Sequence, residues 1–496
     1  MTKSVLIIGG GIAGLSCGCY AAMNGYRTKV LEMHTKPGGV CTAWQRKGYT
    51  FDGCIHWLMG SSPDSGMNRL WRELGVTLGR RFVDPPEHRR YEEDGRSLSL
   101  FTDLARLRAH LLEVAPEDAP LIHELCRAID KLGALEMPLD EPWTWSGLTA
   151  RLRMLPALGS FQRYSRMPIS AVSARVKTPF LRRALQALFS LDEAPVSAFL
   201  MGLAVQCRKN AGYPLGGSLA FAQAMAQRCA SLGGELLYGA RVSKILVERG
   251  RAVGVRTEDG KELRADHVVS AADGFTTIFK MLDGKFIDDQ LRSLYRGGMP
   301  TFEPLVQVSL GLRRVLDLPP AVVFPLPRPI AVGANTHRHL TLRNLACDPA
   351  LAPPGCSTAT TTLTTDYESW TTLRGEPERY RAEKQRIGDE VVERLEQKWP
   401  GLAKDVEVID VATPATWERY TGNWRASYEG WMMTTKTMGH VLSGGLPKRL
   451  PGLGGFSMIG QWTTVGGGVP PAAKDGRDEI RRLCRMDGRK FVALEA

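Results

Sequence analysis

The clearest hydrophobic pattern lies at the N-terminus. Ser4–Ile8 is a short, continuous apolar run, as expected of a strand buried on both faces. Gly9, Gly11 and Gly14 follow at once. Apolar positions then recur at helical spacing, with Ile12, Leu15, Cys19 and Ala22 on one face. This predicts a helix to about Asn24, ended by Gly25. Tyr26 to Leu31 reads as a second strand, closed by Glu32. Further along, a helix is predicted from about Ser218 to Leu232. A hairpin-like series follows at Glu235–Tyr238, Arg241–Glu248, Ala252–Thr257 and Glu262–Val269, with Asp259-Gly260 as its turn. The Pro-rich stretch Leu318 to Pro329 predicts a loop or an edge strand. Thr358–Thr365 predicts a strand with one wet face. An Ala/Arg-rich helix is expected from about Ala472 to Arg485.

The three early glycines have the G-x-G-x-x-G spacing, with a strand before and a helix after. Gly9 permits the tight turn, Gly11 lets a pyrophosphate approach the backbone, and Gly14 lets helix and strand pack closely. The phosphates belong on the helix N-terminus, at Ile12 and Ala13, where free N–H groups and the helix dipole favour negative charge. Glu32 lies 18 residues beyond Gly14 and is placed to accept hydrogen bonds from the adenosine ribose. This fingerprint does not separate FAD from NAD. Pro37-Gly38-Gly39 and the Gly48–Asp52 strand running into residues 53–57 add to it, as does the late cluster Gly460–Pro470 before the last predicted helix. A second glycine cluster opening a helix offers donors for the electron-rich edge of a flavin, for which an NAD site has no need.

The chain resembles the phytoene desaturase-like branch of the FAD-dependent amine oxidase superfamily, in the subgroup of carotenoid isomerases and retinol saturases. The matching stretches are His34–Gly39, Gly48–His56, Tyr213–Gly217, Gly250–Val255, Asp266–Asp273, Trp417–Asn423 and Gly460–Pro470. The resemblance implies an α/β fold: a Rossmann-type, amine-oxidase-like FAD-binding domain, a mixed-sheet substrate domain and a helical cap. It further implies FAD contacts from Met33, Gly38, Gly39, Val40, Ile55, Val242, Ala271, Gly460, Gln461, Gly468 and Val469. Val242 would meet the adenine through its backbone, and Ala271 would lie near the pyrophosphate. Two positions depart from the family pattern. Val40 stands where Arg follows the paired glycines, and Gln461 stands where an acid binds the ribityl chain.

The implied reaction is desaturation, saturation or cis–trans isomerisation of a lipophilic, conjugated small molecule of carotenoid, retinoid or polyene type. A flavin amine oxidase and a tailoring enzyme acting on a polyketide- or peptide-derived polyene remain open. So does a non-enzymatic protein like the Rab GDP-dissociation inhibitors, against which the intact Gly9, Gly11, Gly14 and Glu32 count. Flavin chemistry needs few catalytic side chains. His56 is the acid/base candidate, and Trp431 and Trp462 are candidate walls of a substrate tunnel. His337 and His339, with His440, could be drawn as a metal set. Strand-spaced histidines without acid or Cys neighbours are more simply surface residues, and no metal is expected. Cys41 and Cys54 flank the flavin segment and could form a redox pair.

With 496 residues, two or three domains are expected. The FAD domain is expected to be discontinuous, at 1–75, 212–275 and 441–496. Residues 76–211 and 276–440 form the substrate domain, with the cap at about 100–211. Ten scattered cysteines without a CxxC pair read as reduced thiols. The early first strand leaves no room for a signal peptide, and no apolar run reaches about 18 residues. A cytoplasmic protein is expected, either soluble or peripheral on a membrane, of unassigned oligomeric state. The net charge of +12 is concentrated in part between Arg151 and Ser190, which holds eight Lys and Arg and no acid. Apolar residues are interleaved there, and Trp143 and Trp145 stand upstream. Contact with an anionic membrane surface and a plain solvated cap are both open readings. Nucleic acid is not expected, because no nucleic-acid motif is present.

Overall fold

The computed structural model describes residues 2–135, 139, 155, 157–189 and 192–495. Its first layer is a five-stranded parallel sheet in the order Phe456–Met458, His267–Ser270, Ser4–Ile8, Arg27–Glu32, Glu235–Tyr238. Glu235–Tyr238 and the last part of Glu262–Val269 therefore leave the hairpin expected from sequence. Only Val242–Glu248, Arg251–Thr257 and Glu262–Arg264 form the antiparallel sheet. The break has a local cause. Asp266 turns its carboxylate to the Ser4 backbone N–H and hydroxyl, both at 2.7 Å, which steers His267–Ser270 alongside the first strand.

The first helix, Ile12–Met23, is buried along every residue from Ile12 to Ala21, not on one face alone. It lies between the parallel sheet, the helix Gly217–Ser231 and the last helix, Val469–Met486. Small residues allow this. A Cβ at Gly18 would sit 2.9 Å from Val30 and 3.0 Å from the Cys229 sulfur, and one at Gly476 would sit 2.5 Å from the Ala13 carbonyl. A buried ion pair fixes the last helix in place. Arg477 donates to both oxygens of Glu73, at 2.8 and 3.2 Å, with both side chains 3% exposed, and the Tyr20 hydroxyl adds a third contact. Removing one partner of such a pair strands a charge in low dielectric. Glu73→Gln is therefore expected to destabilise the protein by about 3–5 kcal/mol, read as a lower midpoint in urea unfolding.

The second layer is a mixed seven-stranded sheet. Its order is Val406–Ala412, Leu305–Leu312, Ser357–Thr364, Asn335–Asn344, Ala321–Val332, Glu87–Glu93, Arg96–Phe101. The Pro-rich stretch is thus an interior strand, neither loop nor edge. Its register breaks between Pro325 and Ile330, and its parallel partner is paired only at Val322 and Val323. Pro327 and Pro329 fall in the interruption and Pro325 at its edge, opposite His339, so the missing N–H groups of Pro327 and Pro329 break no pairing. The Thr-rich strand has no wet face. Thr358, Thr360 and Thr361 are buried, because the helix Pro377–Lys398 covers one side of the sheet and the Ala43–Arg46/Tyr49–Asp52 hairpin crosses the other.

A helical cap packs on the far end of this sheet around Ile122, Ile129, Phe180, Leu181 and Leu200. The acid-free segment borrows acids from elsewhere. Arg163 and Arg175 pair with Glu124, Arg183 pairs with Glu93, and Arg182 donates to the Val176 carbonyl. Much of its expected basic surface is thereby neutralised, while Leu155 and Leu158 stand exposed. Trp143, Trp145, Arg151 and Arg153 lie outside the described residues. No helix among the described residues is long and apolar enough to cross a membrane.

Candidate active site

The parallel strands all end at one edge, and the loops that follow them meet there. Ile8 runs into Gly9, whose φ of +97° makes the turn, and Gly11 caps the helix without a side-chain bond. A Cβ on Gly14 would lie 1.9 Å from the Gly9 carbonyl oxygen, so only glycine lets helix and turn touch. A Cβ on Gly11 would meet nothing nearer than the Gly38 carbonyl at 3.8 Å. Open space therefore faces the first turn of the helix, at Ile12 and Ala13. The second glycine pair is clasped to the first, with the Gly38 N–H donating to the Gly10 carbonyl at 2.8 Å. Glu32 is buried at the end of its strand. One of its oxygens accepts from the Gly10 N–H and the other from the His34 N–H, at 2.7 and 2.8 Å. Burial pushes this carboxyl above its ordinary range, and the backbone donors pull it back. Each oxygen keeps a second lone pair for a ribose hydroxyl.

The neighbouring loops complete the crevice. Ala271 packs on Gly9 and Gly14 and donates its N–H to the Ile8 carbonyl. Ala240 donates to the Glu32 carbonyl, which brings the strand beginning at Val242 beside Glu32, while Met33 borders Arg241 and Gly422. The late glycine corner arrives from the other side. Gly460, at φ +94°, places its would-be Cβ 3.2 Å from Ala13, and its N–H donates to the buried carboxylate of Asp475. Gln461 packs beside Gly430. Gly466, Gly467 and Gly468 all have positive φ and lead into Val469. The next two residues are Pro470 and Pro471, so Val469 carries the only N–H of that helix's first three positions. This corner therefore offers N–H groups only from the Gly467–Val469 backbone, with the helix dipole, fewer than a helix N-terminus ordinarily offers.

Sequence reasoning did not assign Asp52 a role, and it is the joint of the site. Its carboxylate accepts from the Ser218 N–H and hydroxyl at 2.7 and 2.5 Å and from the Cys54 N–H at 3.0 Å. Ser218 in turn accepts from the Ile55 N–H at 2.7 Å. The hairpin, the helix Gly217–Ser231 and the 53–57 segment are thus pinned together, with the Ile55 N–H already used. Val40 is half-buried, and His56 is exposed. Trp431 and Trp462 are core residues. Trp431 has no accessible surface, donates its indole N–H to the Trp462 carbonyl and packs on Tyr295 and Trp424, so it walls no tunnel. Cys41 and Cys54 are free thiols. His337 and His339 are half-buried, not surface residues, and no cluster of metal-ligating side chains is gathered among the described residues.

One further acid stands out at the late glycine corner. Glu429 lies beside Gly467, whose would-be Cβ would meet its carbonyl oxygen and Cβ at 2.7 and 2.8 Å. Burial alone pushes its carboxyl up to about 7. Such a group holds or releases a proton at neutral pH. No local motif marks it, because its surroundings come from the glycine loop some forty residues on.

These features fit FAD: an uncapped helix N-terminus under open space at Gly11, a ribose-facing acid, and a second glycine corner in contact with the first. Comparison with known proteins agrees. Residues 12–484 match the family model for flavin-containing amine oxidoreductases. The chain is 26% identical over 504 residues to prolycopene isomerase 2, chloroplastic, of an Oncidium hybrid cultivar, covering 95% of this chain and 82% of that one. It is 26% identical over 458 residues to a neurosporene-forming phytoene desaturase of Cereibacter sphaeroides, covering 85% and 84%. Among solved structures, an oxidoreductase from Methanosarcina mazei shares the fold at a TM-score of 0.61 and 18% identity, covering 96% of this chain and all of that one. A putrescine oxidase bound to putrescine does so at 0.60 and 13%, covering 98% and 99%. The chain belongs to the flavin-containing amine oxidoreductase family and is an FAD-dependent oxidoreductase.

Proposed function

We propose that the protein acts on the C=C or C–C bonds of a lipophilic, conjugated substrate, by desaturation, saturation or cis–trans isomerisation. The observation that carries this reading is similarity along nearly the whole chain to a prolycopene isomerase and to phytoene desaturases, proteins named for polyene substrates. The putrescine oxidase resembles the chain in fold alone, at 13% identity. In this reading the FAD-holding unit comprises 1–75, 212–275 and 441–496, and the substrate unit the remainder.

Gly9, Gly11, Ile12, Ala13 and Gly14 hold the pyrophosphate, and Glu32 the ribose. Met33 and Val242 flank the adenine end. Gly38, Gly39, Val40, Ile55 and Ala271 line the middle. Gly460, Gln461, Gly468 and Val469 hold the ribityl chain and ring edge. Bound FAD supplies a two-electron acceptor or donor. Glu429, rather than the exposed His56, takes or returns the proton at the adjoining carbon. The exposed Leu155 and Leu158 on the cap favour delivery of substrate from a membrane surface, with residues 140–154 beside them in the chain.

The test is to incubate the FAD-loaded protein with conjugated polyenes, with and without dithionite, and to follow the polyene absorption bands. A change in the number of conjugated double bonds, or a cis-to-trans band shift on the reduced protein, is expected. Unchanged polyenes together with peroxide release from amines would return the protein to amine oxidation.

A further inference from the structure

The middle strand of the seven-stranded sheet, Asn335–Asn344, carries an arginine that no other residue explains. Arg343 pairs across the ladder with Thr360, which pairs in turn with Ser309, so these three side chains lie in one row on one face. The Tyr49–Asp52 strand crosses this face: Gln307 donates to the Asp52 carbonyl at 2.9 Å and to the Ser309 hydroxyl at 3.1 Å. Ser309 and Thr360 are sealed beneath it. Arg343, at the end of the row, is half-buried, and its nitrogens are not among the sealed polar atoms. Its guanidinium makes no hydrogen bond or ion pair with any described residue.

The charge that acts on it most is that of Asp52, whose carboxylate is already filled by Ser218, Cys54 and the Tyr213 hydroxyl and makes no ion pair with the arginine. Burial brings Arg343 down to about 10, with Asp52, Cys347 and Cys54 working against that fall. No second cation contributes to its field. His339 and His337, two and three places along the same face, are kept neutral by burial.

Its N–H donors thus have no partner among the described residues, on a central strand, beside the Cys54–Ile55 segment that Ser218 pins into the active site. We propose that Arg343 binds the carboxylate of the substrate, so that the preferred substrate is a conjugated polyene acid rather than a bare hydrocarbon. The guanidinium fork matches a carboxylate in two parallel bonds. Asp52 already offsets part of this single positive charge, so the position suits at most a monoanion and disfavours a phosphate dianion. This inference rests on the polyene reading above and narrows it.

Parinaric acid, a conjugated tetraene that fluoresces when bound in an apolar site, and its methyl ester provide the probes. Both are titrated into the FAD-loaded full-length protein. The acid is expected to bind the wild type about 10- to 100-fold more tightly than the ester, the range of a desolvated charge-assisted pair. Arg343→Met is expected to erase this preference while leaving ester affinity and flavin absorbance unchanged, and Arg343→Lys to retain part of it. Equal binding of acid and ester by the wild type, or a preference that survives in Arg343→Met, would overturn the proposal. Should Arg343→Met lose its flavin through misfolding, the wild-type acid-to-ester ratio decides alone. Tight ester binding without acid preference sinks this inference and spares the polyene reading. Binding of neither probe sinks both.

Discussion

Gly14→Ala is expected to yield a colourless protein, with FAD affinity reduced at least ~100-fold. The new methyl would lie 1.9 Å from the Gly9 carbonyl oxygen and 3.1 Å from its carbon, both backbone atoms of the turn that ends the first strand. No rotamer change relieves a backbone contact. Either the helix Ile12–Met23 moves off the strand or the turn deforms, and in both cases the N–H groups of the first helical turn lose their aim. The helix has little room to move, because the last helix packs against its other side so closely that a Cβ on Gly476 would lie 2.5 Å from the Ala13 carbonyl oxygen. Gly25→Ala is the informative control. Gly25 has φ of +71° with open space around it, so its cost is conformational and about 1–2 kcal/mol. That variant should be less stable but yellow. Flavin absorbance of the purified proteins, with FAD titration of the stripped chains, separates the two. A Gly14→Ala protein that retains wild-type FAD affinity would show that the glycine corner is not what holds the nucleotide.

The first βαβ unit was legible because its signals are local. A buried strand, three glycines, a helix and an acid follow within 32 residues, and each shows in its own side chain. What the sequence obscured depends on partners far along the chain. The all-round burial of Ile12 to Ala21 comes from helices that begin at Gly217 and Val469. The prolines of Ala321–Val332 look like an edge until the ladder is seen to lapse just after Pro325, where Pro327 and Pro329 stand. The acids that quiet Arg163, Arg175 and Arg183 belong to other elements, Glu124 and Glu93. Trp431 read as a tunnel wall because it lies in a stretch that meets the flavin in relatives, but Tyr295, Trp424 and Trp462 enclose it. Asp52 and Glu429 carry no spacing signature. A lone acid becomes a joint or a proton carrier only through the groups folded around it.

Glu429→Gln is expected to make the protein more stable above neutral pH and much less active. In the folded state the carboxyl is raised from 4.5 to about 7, so the native protein holds a proton there that the unfolded chain has released. Stability from this group is complete below about 4.5 and is lost as pH rises through about 7. Above that, keeping the charged form buried costs roughly 3 kcal/mol. Glutamine has the shape of the neutral acid and never ionises. The variant and the wild type should therefore melt together near pH 4.5, with the variant melting higher by pH 8. Activity should move the opposite way. If Glu429 transfers a proton, its loss lowers kcat by about 10²- to 10⁴-fold and removes the limb of the pH–rate profile near 7, while FAD binding is unchanged. An acid that weakens the fold is retained for its chemistry, and the two effects together identify it. A variant that gains stability yet turns over at the wild-type rate with the same pH profile would make Glu429 an idle strain at the glycine corner and leave the proton to another group.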